Sequence, residues 1–443
     1  MREITLDFIN EQRESFLSDP KAIAAANSVA KNGALAASIN VEIQKSLPFI
    51  FEVDVWNEGT TDQHATGRCW AFASLNIVRH NMKRTLGIAE KNFELSQNYI
   101  YFFDMLEKCA RFLDGQIRNI ALPLDDPKVS NPLRRPIADN GMWYGFCRLA
   151  DKYGVVPKYM MPDTQCSFDS KYVTRIIEQK LKLSVMQLRD AKEDGADEDA
   201  LYALREKQLS GVFSILTRFL GAPPKTVSFE YRKADGTFVK LPEMTPQEFY
   251  KQYGGMNADD YCFIINHPTD KYPLGKCYAG DPDKCTVLDK RFNLDMDIIK
   301  QLVISSLRGG DQVIMGCDVA KQSDKPSGYM HQQLLDYENV FGTDLEFPDR
   351  KTWLKYKGHN GGTSGLHIMA FDGVHFDDFG KPIRWKVHNS YGDSMGIKGH
   401  YVMDDSWFDR YVSSVVIARK YMPQELLDIF DAKPEKMNEF ELF

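Results

Sequence analysis

Apolar positions in this chain follow helical spacing first and strand spacing later. From Cys69 the positions Ala71, Leu75, Val78 and Met82 recur at three- and four-residue steps, which predicts a helix with one apolar face. The run stops at Gly87, a residue suited to the left-handed backbone that closes helices. A second predicted helix carries Leu95, Tyr99, Phe102, Leu106, Cys109 and Leu113 on one side, with aromatics that read most simply as core packing. Residues 170–220 are again helical and rich in Lys, Glu and Gln. Their interruption at Glu193-Asp194-Gly195-Ala196-Asp197-Glu198-Asp199 reads as a solvated helix–helix connection. Between Thr226 and Leu241, Val227, Phe229 and Tyr231 alternate ahead of an Asp235–Gly236 turn, a hairpin signal. Thr245-Pro246-Gln247-Glu248 has capping-box residues with proline at the first helical position. From Gln312 onward the apolar runs shorten to strand length, at 312–319, 366–374, 383–389 and 400–403. Helices first and strands later predict an α+β fold.

Composition narrows the function classes. A hydrophobic fraction of 43% and a charged fraction of 26% suit a soluble globular chain of 443 residues. No apolar run approaches the ~20 residues that span a bilayer, and the charged, amphipathic start lacks a signal-peptide core. A cytoplasmic protein with no membrane partner is expected. The net charge of −7, with no Lys/Arg block, argues against nucleic acid as a main partner. The eight cysteines contain no Cys-x-x-Cys pair and are too sparse for a disulfide scaffold. Cys277 and Cys285 are near enough in sequence to consider as a pair, but all eight read as free thiols. The nine histidines show no metal-ligand spacing: His359 sits in a Gly-His-Asn-Gly-Gly loop, and His375 and His388 are isolated. No metal and no cofactor are expected.

The candidate chemistry lies in Gln63-His64-Ala65-Thr66-Gly67-Arg68-Cys69-Trp70. A thiol at a helix N-terminus feels the positive end of the helix dipole, which favours the nucleophilic thiolate. A glutamine just upstream can aim an N–H at an oxygen that turns negative when the thiolate attacks a carbonyl. Most free cysteines are simply small buried hydrophobes, so Cys69 alone would prove little. Two distant residues change that reading. His367 lies in the strand-like Leu366-His367-Ile368-Met369, and Asn389 shares one face of an alternating run with Trp385 and Val387. Alone, such a histidine is more often structural, and an Asn beside Ser-Tyr-Gly is usually turn chemistry. Cysteine, then histidine, then asparagine is the chain order of papain-like cysteine proteases.

Within that superfamily the chain resembles the bleomycin hydrolases and bacterial aminopeptidases C. The resemblance rests on Ala-Ala-Ala-Asn-Ser-Val-Ala-Lys-Asn-Gly at 24–33, Gly-Arg-Cys-Trp at 67–70 and Glu-Leu-Ser-Gln at 94–97. It continues through Lys-Tyr-Gly-Val-Val-Pro at 152–157, Gly-Cys-Asp-Val-Ala-Lys-Gln-Ser-Asp at 316–324 and Trp-Phe-Asp-Arg-Tyr-Val at 407–412. It implies a papain-like fold whose helical half carries Cys69 and whose β half carries His367 and Asn389. The organisation expected from it is an N-terminal arm over 1–60, a helical half over 61–165 and a mostly helical insertion with a hairpin over 166–295. A β half over 296–420 and a C-terminal arm over 421–443 complete it.

The resemblance also implies roles. Cys69 attacks a peptide carbonyl, His367 protonates the leaving amine, Asn389 orients the imidazole, and Gln63 with the Cys69 N–H binds the oxyanion. Asn140-Gly141 matches a Gly-Gly segment that pairs with the substrate backbone, with Asn140 in place of the first glycine. The C-terminal tail, ending in Phe443, would lie in the cleft and favour peptides with a free N-terminus. A closed homo-oligomer, a hexamer in relatives, is expected. The chain departs from the family at Tyr391, where relatives have tryptophan, in the loop at 358–362, and in a bulky tail. The expected function is an intracellular cysteine aminopeptidase acting on peptide substrates. A papain-like endopeptidase, a thioester acyltransferase and a non-catalytic relative remain as alternatives.

Overall fold

The structure is a computed structural model that describes residues 2–55, 59–345, 349–357 and 366–438. Its centre is the helix Cys69–Leu86, closed by Gly87 at φ 69°. The sequence predicts one apolar face, whereas nearly every face is buried. The helix is enclosed by the helices Gln97–Arg118 and Trp143–Tyr153 and by the strand Leu366–Phe376. Its off-stripe polar residues reach backbone or hydroxyl partners: Asn76 Nδ2 donates to Thr61 Oγ1 at 3.1 Å, and Lys83 Nζ donates to the Glu90 carbonyl at 2.7 Å. Satisfied in this way, polar side chains tolerate burial that would otherwise cost several kcal/mol.

The second predicted helix starts at Gln97, with Ser96 as its cap. Leu95 lies just outside, bridged to Pro157. Two long helices, Lys171–Glu193 and Glu198–Leu220, flank the acidic interruption and pack on the Gln97–Arg118 helix. Val173, Ile177, Leu181, Val185 and Leu188 form the buried stripe of the first. The Glu230–Arg232 and Phe238–Lys240 strands pair as the predicted hairpin, and Thr245 and Glu248 cap the helix Pro246–Tyr253 reciprocally.

The second half is a twelve-stranded sheet. The strand Leu366–Phe376 lies between Val313–Asp318 and Pro382–His388, antiparallel to both, and Pro382–His388 pairs in turn with His400–Asp404. A bulge at Asp372 interrupts the ladder with Pro382–His388. The fully buried Asp372 carboxylate lies 3.2 Å from His400 Nε2 on the strand beyond. Strands also arise where a helical insertion was expected: Tyr261–Ile265, Lys276–Ala279 and Arg291–Asn293 extend the same sheet. They are short and separated by Pro, Gly and Asp, so they leave little periodicity to read. Among the described residues no helix is long and apolar enough to cross a membrane.

The first 45 residues form four helices, of which Leu6–Ser18 and Pro20–Asn32 bury no residue. Ile4, Leu6, Phe8, Ile9, Phe16 and Leu17 are exposed along the first of them and its lead-in. At the other end, Glu435–Lys436 adds to the sheet beside Lys276–Ala279, Met437 is buried, and its N–H donates to the Ala279 carbonyl at 2.9 Å.

Candidate active site

Cys69 is the first residue of the central helix, at the floor of a cleft of about 1790 Å³ between the helical and β halves. Gln63, Asn140, Gly141, His367 and Tyr391 line the same cleft. Asn389 follows the last residue of the Pro382–His388 strand and is buried behind His367. His367 Nε2 lies 2.8 Å from Asn389 Oδ1. The Ser390 N–H also donates to that Oδ1 at 2.8 Å, which marks the atom as an oxygen. An amide oxygen only accepts, so Nε2 carries the proton and Nδ1 keeps its lone pair for the thiol proton. Tyr391 stacks on the imidazole with centroids 4.9 Å apart and planes 12° apart, covering one face of the ring.

Electrostatics in the cleft oppose the simple helix-dipole expectation. Burial pushes the Cys69 thiol up to about 11, although the N–H groups of Ile368, Trp70 and Cys69 itself pull it back. Burial also lowers His367 to about 4, against the hydrogen bond it donates to Asn389, and the nearby Lys325 charge lowers it further. Desolvation outweighs the helix end here, which favours an uncharged thiol and a neutral imidazole.

The loop ahead of Cys69 is held from three directions. Gln63 Nε2 donates to the Thr66 carbonyl at 2.6 Å, and its Oε1 accepts from Ser390 Oγ at 2.6 Å. The amide is therefore fixed, with the second N–H of Nε2 left for the cleft. The Gln63 backbone N–H also donates to the Ser390 carbonyl at 2.9 Å. Arg68, 1% exposed, donates to Asn98 Oδ1 at 3.0 Å and to the Ser167 carbonyl at 2.5 Å. Asp139 accepts from the Gly67 N–H at 2.6 Å and from Ser170 Oγ. A β-carbon on Gly67 would meet Asp139 Oδ1 at 2.5 Å, and one on Gly141 would meet Trp70 Cε2 at 2.5 Å. Both glycines are thus required by close approach, not by turn geometry. Asn140 is exposed at the rim, and its carbonyl accepts from Lys108 Nζ at 2.6 Å.

The structure therefore gathers Gln63, Cys69, Asn140, Gly141 and His367 at one cleft, with Asn389 behind the imidazole. Asn438 of the C-terminal segment lines this cleft too. Phe443 and the 358–362 loop with His359 lie outside the described residues. The sequence reading did not single out Ser390, Asp139, Arg68 or Lys325. Ser390 and Arg68 sit inside strings that were noticed for their neighbours. Nothing local links Asp139 to a loop 72 residues earlier.

A model of the Peptidase C1-like family matches residues 3–442. The chain is similar to Aminopeptidase C of Listeria monocytogenes serovar 1/2a, 34% identical over 436 residues that cover 98% of this chain and 96% of that protein. It is likewise similar to Aminopeptidase E of Lactobacillus helveticus, 34% identical over 424 residues, 95% of this chain and 94% of the relative. A crystal structure of pepw from Lactobacillus rhamnosis HN001 superposes with a TM-score of 0.89 at 35% identity, covering 98% of this chain and 97% of that one.

Ser390→Ala removes the donor to a buried Gln63 oxygen while leaving the oxygen in place. A loss of about 1–3 kcal/mol in urea unfolding is expected. Unchanged stability would mean that the Ser390–Gln63 bond does not join the two halves.

Proposed function

The chain belongs to the Peptidase C1-like family, and we propose that it is a cysteine aminopeptidase that removes residues from the N-termini of peptides through a thioester on Cys69. One observation carries this reading: a thiol at a helix start and an Asn-oriented imidazole line one cleft that the C-terminal segment enters at Asn438. Cys69 attacks the carbonyl as its proton passes to His367 Nδ1. Asn389 holds the imidazole in the tautomer that can accept that proton. The resulting imidazolium protonates the leaving amine, and water then hydrolyses the thioester. The Gln63 amide and the Cys69 N–H stabilise the tetrahedral oxyanion, a donor of this kind being worth ~10²–10³ in turnover. The Asn140–Gly141 backbone binds the substrate chain in extended form.

The C-terminal arm gives the preference for free N-termini. Beyond Asn438 five residues reach at most about 17 Å, enough to obstruct one side of the cleft and to present a carboxylate, with Phe443, to the substrate ammonium group. The N-terminal arm gives the assembly. Its exposed apolar helices support a closed homo-oligomer, a hexamer as in the family it resembles. The eight free thiols support work in the reducing cytoplasm.

An epoxysuccinyl inhibitor is expected to label Cys69 alone, and Cys69→Ala to abolish labelling and turnover. Aminoacyl amides with a free amine should be cut, and their N-acetyl counterparts should not. Labelling of another cysteine refutes the nucleophile, and equal cleavage of both substrates refutes the aminopeptidase reading.

The pH profile follows from the burial of the pair. Between about 4 and about 11 the pair holds one exchangeable proton, the state that can react. Below that window His367 gains a second proton and no base remains; above it the thiol proton is gone and no acid remains for the amine. A flat-topped kcat/KM profile is expected, with an acid limb well below 6.5 and an alkaline limb above 9. An acid limb between 6 and 7 would contradict it.

Light scattering at micromolar concentration should give a multiple of the chain mass, and deletion of residues 1–45 should lower it. A monomer mass for the full chain overturns the assembly.

A further inference from the structure

The chain carries 62 acidic against 55 basic residues, but its catalytic cleft reverses that balance. Among the described residues nine lysines and arginines line it, against three aspartates and glutamates. Ion pairing takes up several of these charges, and Lys351 meets Asp270 at 2.6 Å. Glu107 alone faces both Lys152, at 2.5 Å, and Arg111, at 3.9 Å. Arg148 looks outward to Asp289 at 2.5 Å, and Lys108 takes Asp104 at 2.5 Å. Among the described residues Arg135 and Lys325 have no carboxylate partner.

The placement of these cations matters as much as their number. The Lys325 ammonium lies 4.9 Å from the centroid of Tyr391, whose ring is stacked on His367. His367 hands its proton to the leaving amine, so Lys325 stands on the side through which the shortened peptide departs. Lys108, bonded to the Asn140 carbonyl, stands on the opposite wall. An excess of one sign of charge in a cleft raises the local concentration of groups of the opposite sign. A peptide without acidic side chains offers Lys325 no partner.

Resting on the proposed aminopeptidase reading, we infer that the cleft selects anionic peptides, with an Asp or Glu directly after the residue removed, where the carboxylate meets Lys325. The contact lies within reach of solvent, so its strength falls with ionic strength, over a screening length of ~8 Å near 0.15 M.

The test uses the full chain and three peptides with the same free N-terminal residue, followed by Glu, Gln or Lys. At low salt kcat/KM is expected to order as Glu, Gln, Lys, with at least about tenfold between the ends. That span should shrink several-fold at 0.5 M salt. Lys325→Gln should narrow the Glu-to-Lys ratio, and Arg135→Gln provides a second variant should the first fail to fold. Equal kcat/KM for all three peptides overturns the charge preference while leaving the aminopeptidase intact. A ratio untouched by salt and by both variants overturns it as well. Failure to cut any of the three overturns the proposed function itself, and the charge preference with it.

Discussion

The site depends on one tie across the seam of the molecule. Gln63 and Ser390 share two hydrogen bonds, one through the backbone and one through the side chains. They join the loop that delivers the thiol to the turn that delivers Asn389. The helical half fixes Cys69 at the start of a buried helix, and the β half fixes His367 on a strand paired on both sides. The tie fixes the Gln63 amide, whose Oε1 accepts from Ser390 Oγ and whose Nε2 donates to the Thr66 carbonyl.

Burial sets the reactivity of the pair. A thiolate beside an imidazolium would be attractive in Coulomb terms, but both charges would be formed in a dry cleft floor. Burial favours the neutral forms of both groups. Asn389 makes this workable because it fixes which imidazole nitrogen is free. Tyr391 stacks on the imidazole and lies nearly parallel to it.

The legible parts of the sequence were those with local chemistry. The capping box at Thr245 and Glu248, the Asp235–Gly236 turn and the helix closed at Gly87 each depend on neighbours within a few residues. Cys69, His367 and Asn389 were legible as a set because their order and flanking strings matched a known pattern, not because spacing alone demanded it. Three features were hidden for physical reasons. The strands over 261–293 are too short for periodicity and exist because the large sheet offers them partners. The Asp139–Gly67 bond and the Trp70–Gly141 contact join distant segments by close packing. The positive lining of the cleft comes from Lys and Arg scattered across the chain, whose overall charge has the other sign.

The central claim is that a thioester site and a C-terminal arm together make an enzyme that works from peptide N-termini. Mass spectrometry of the products of one ten-residue peptide tests this most directly, with intact enzyme and with enzyme truncated after Met437. The account predicts a ladder of single-residue losses from the N-terminus with the intact chain, and internal fragments once the segment beyond Met437 is gone. Internal fragments from the intact chain, or an unaltered ladder after truncation, would contradict it.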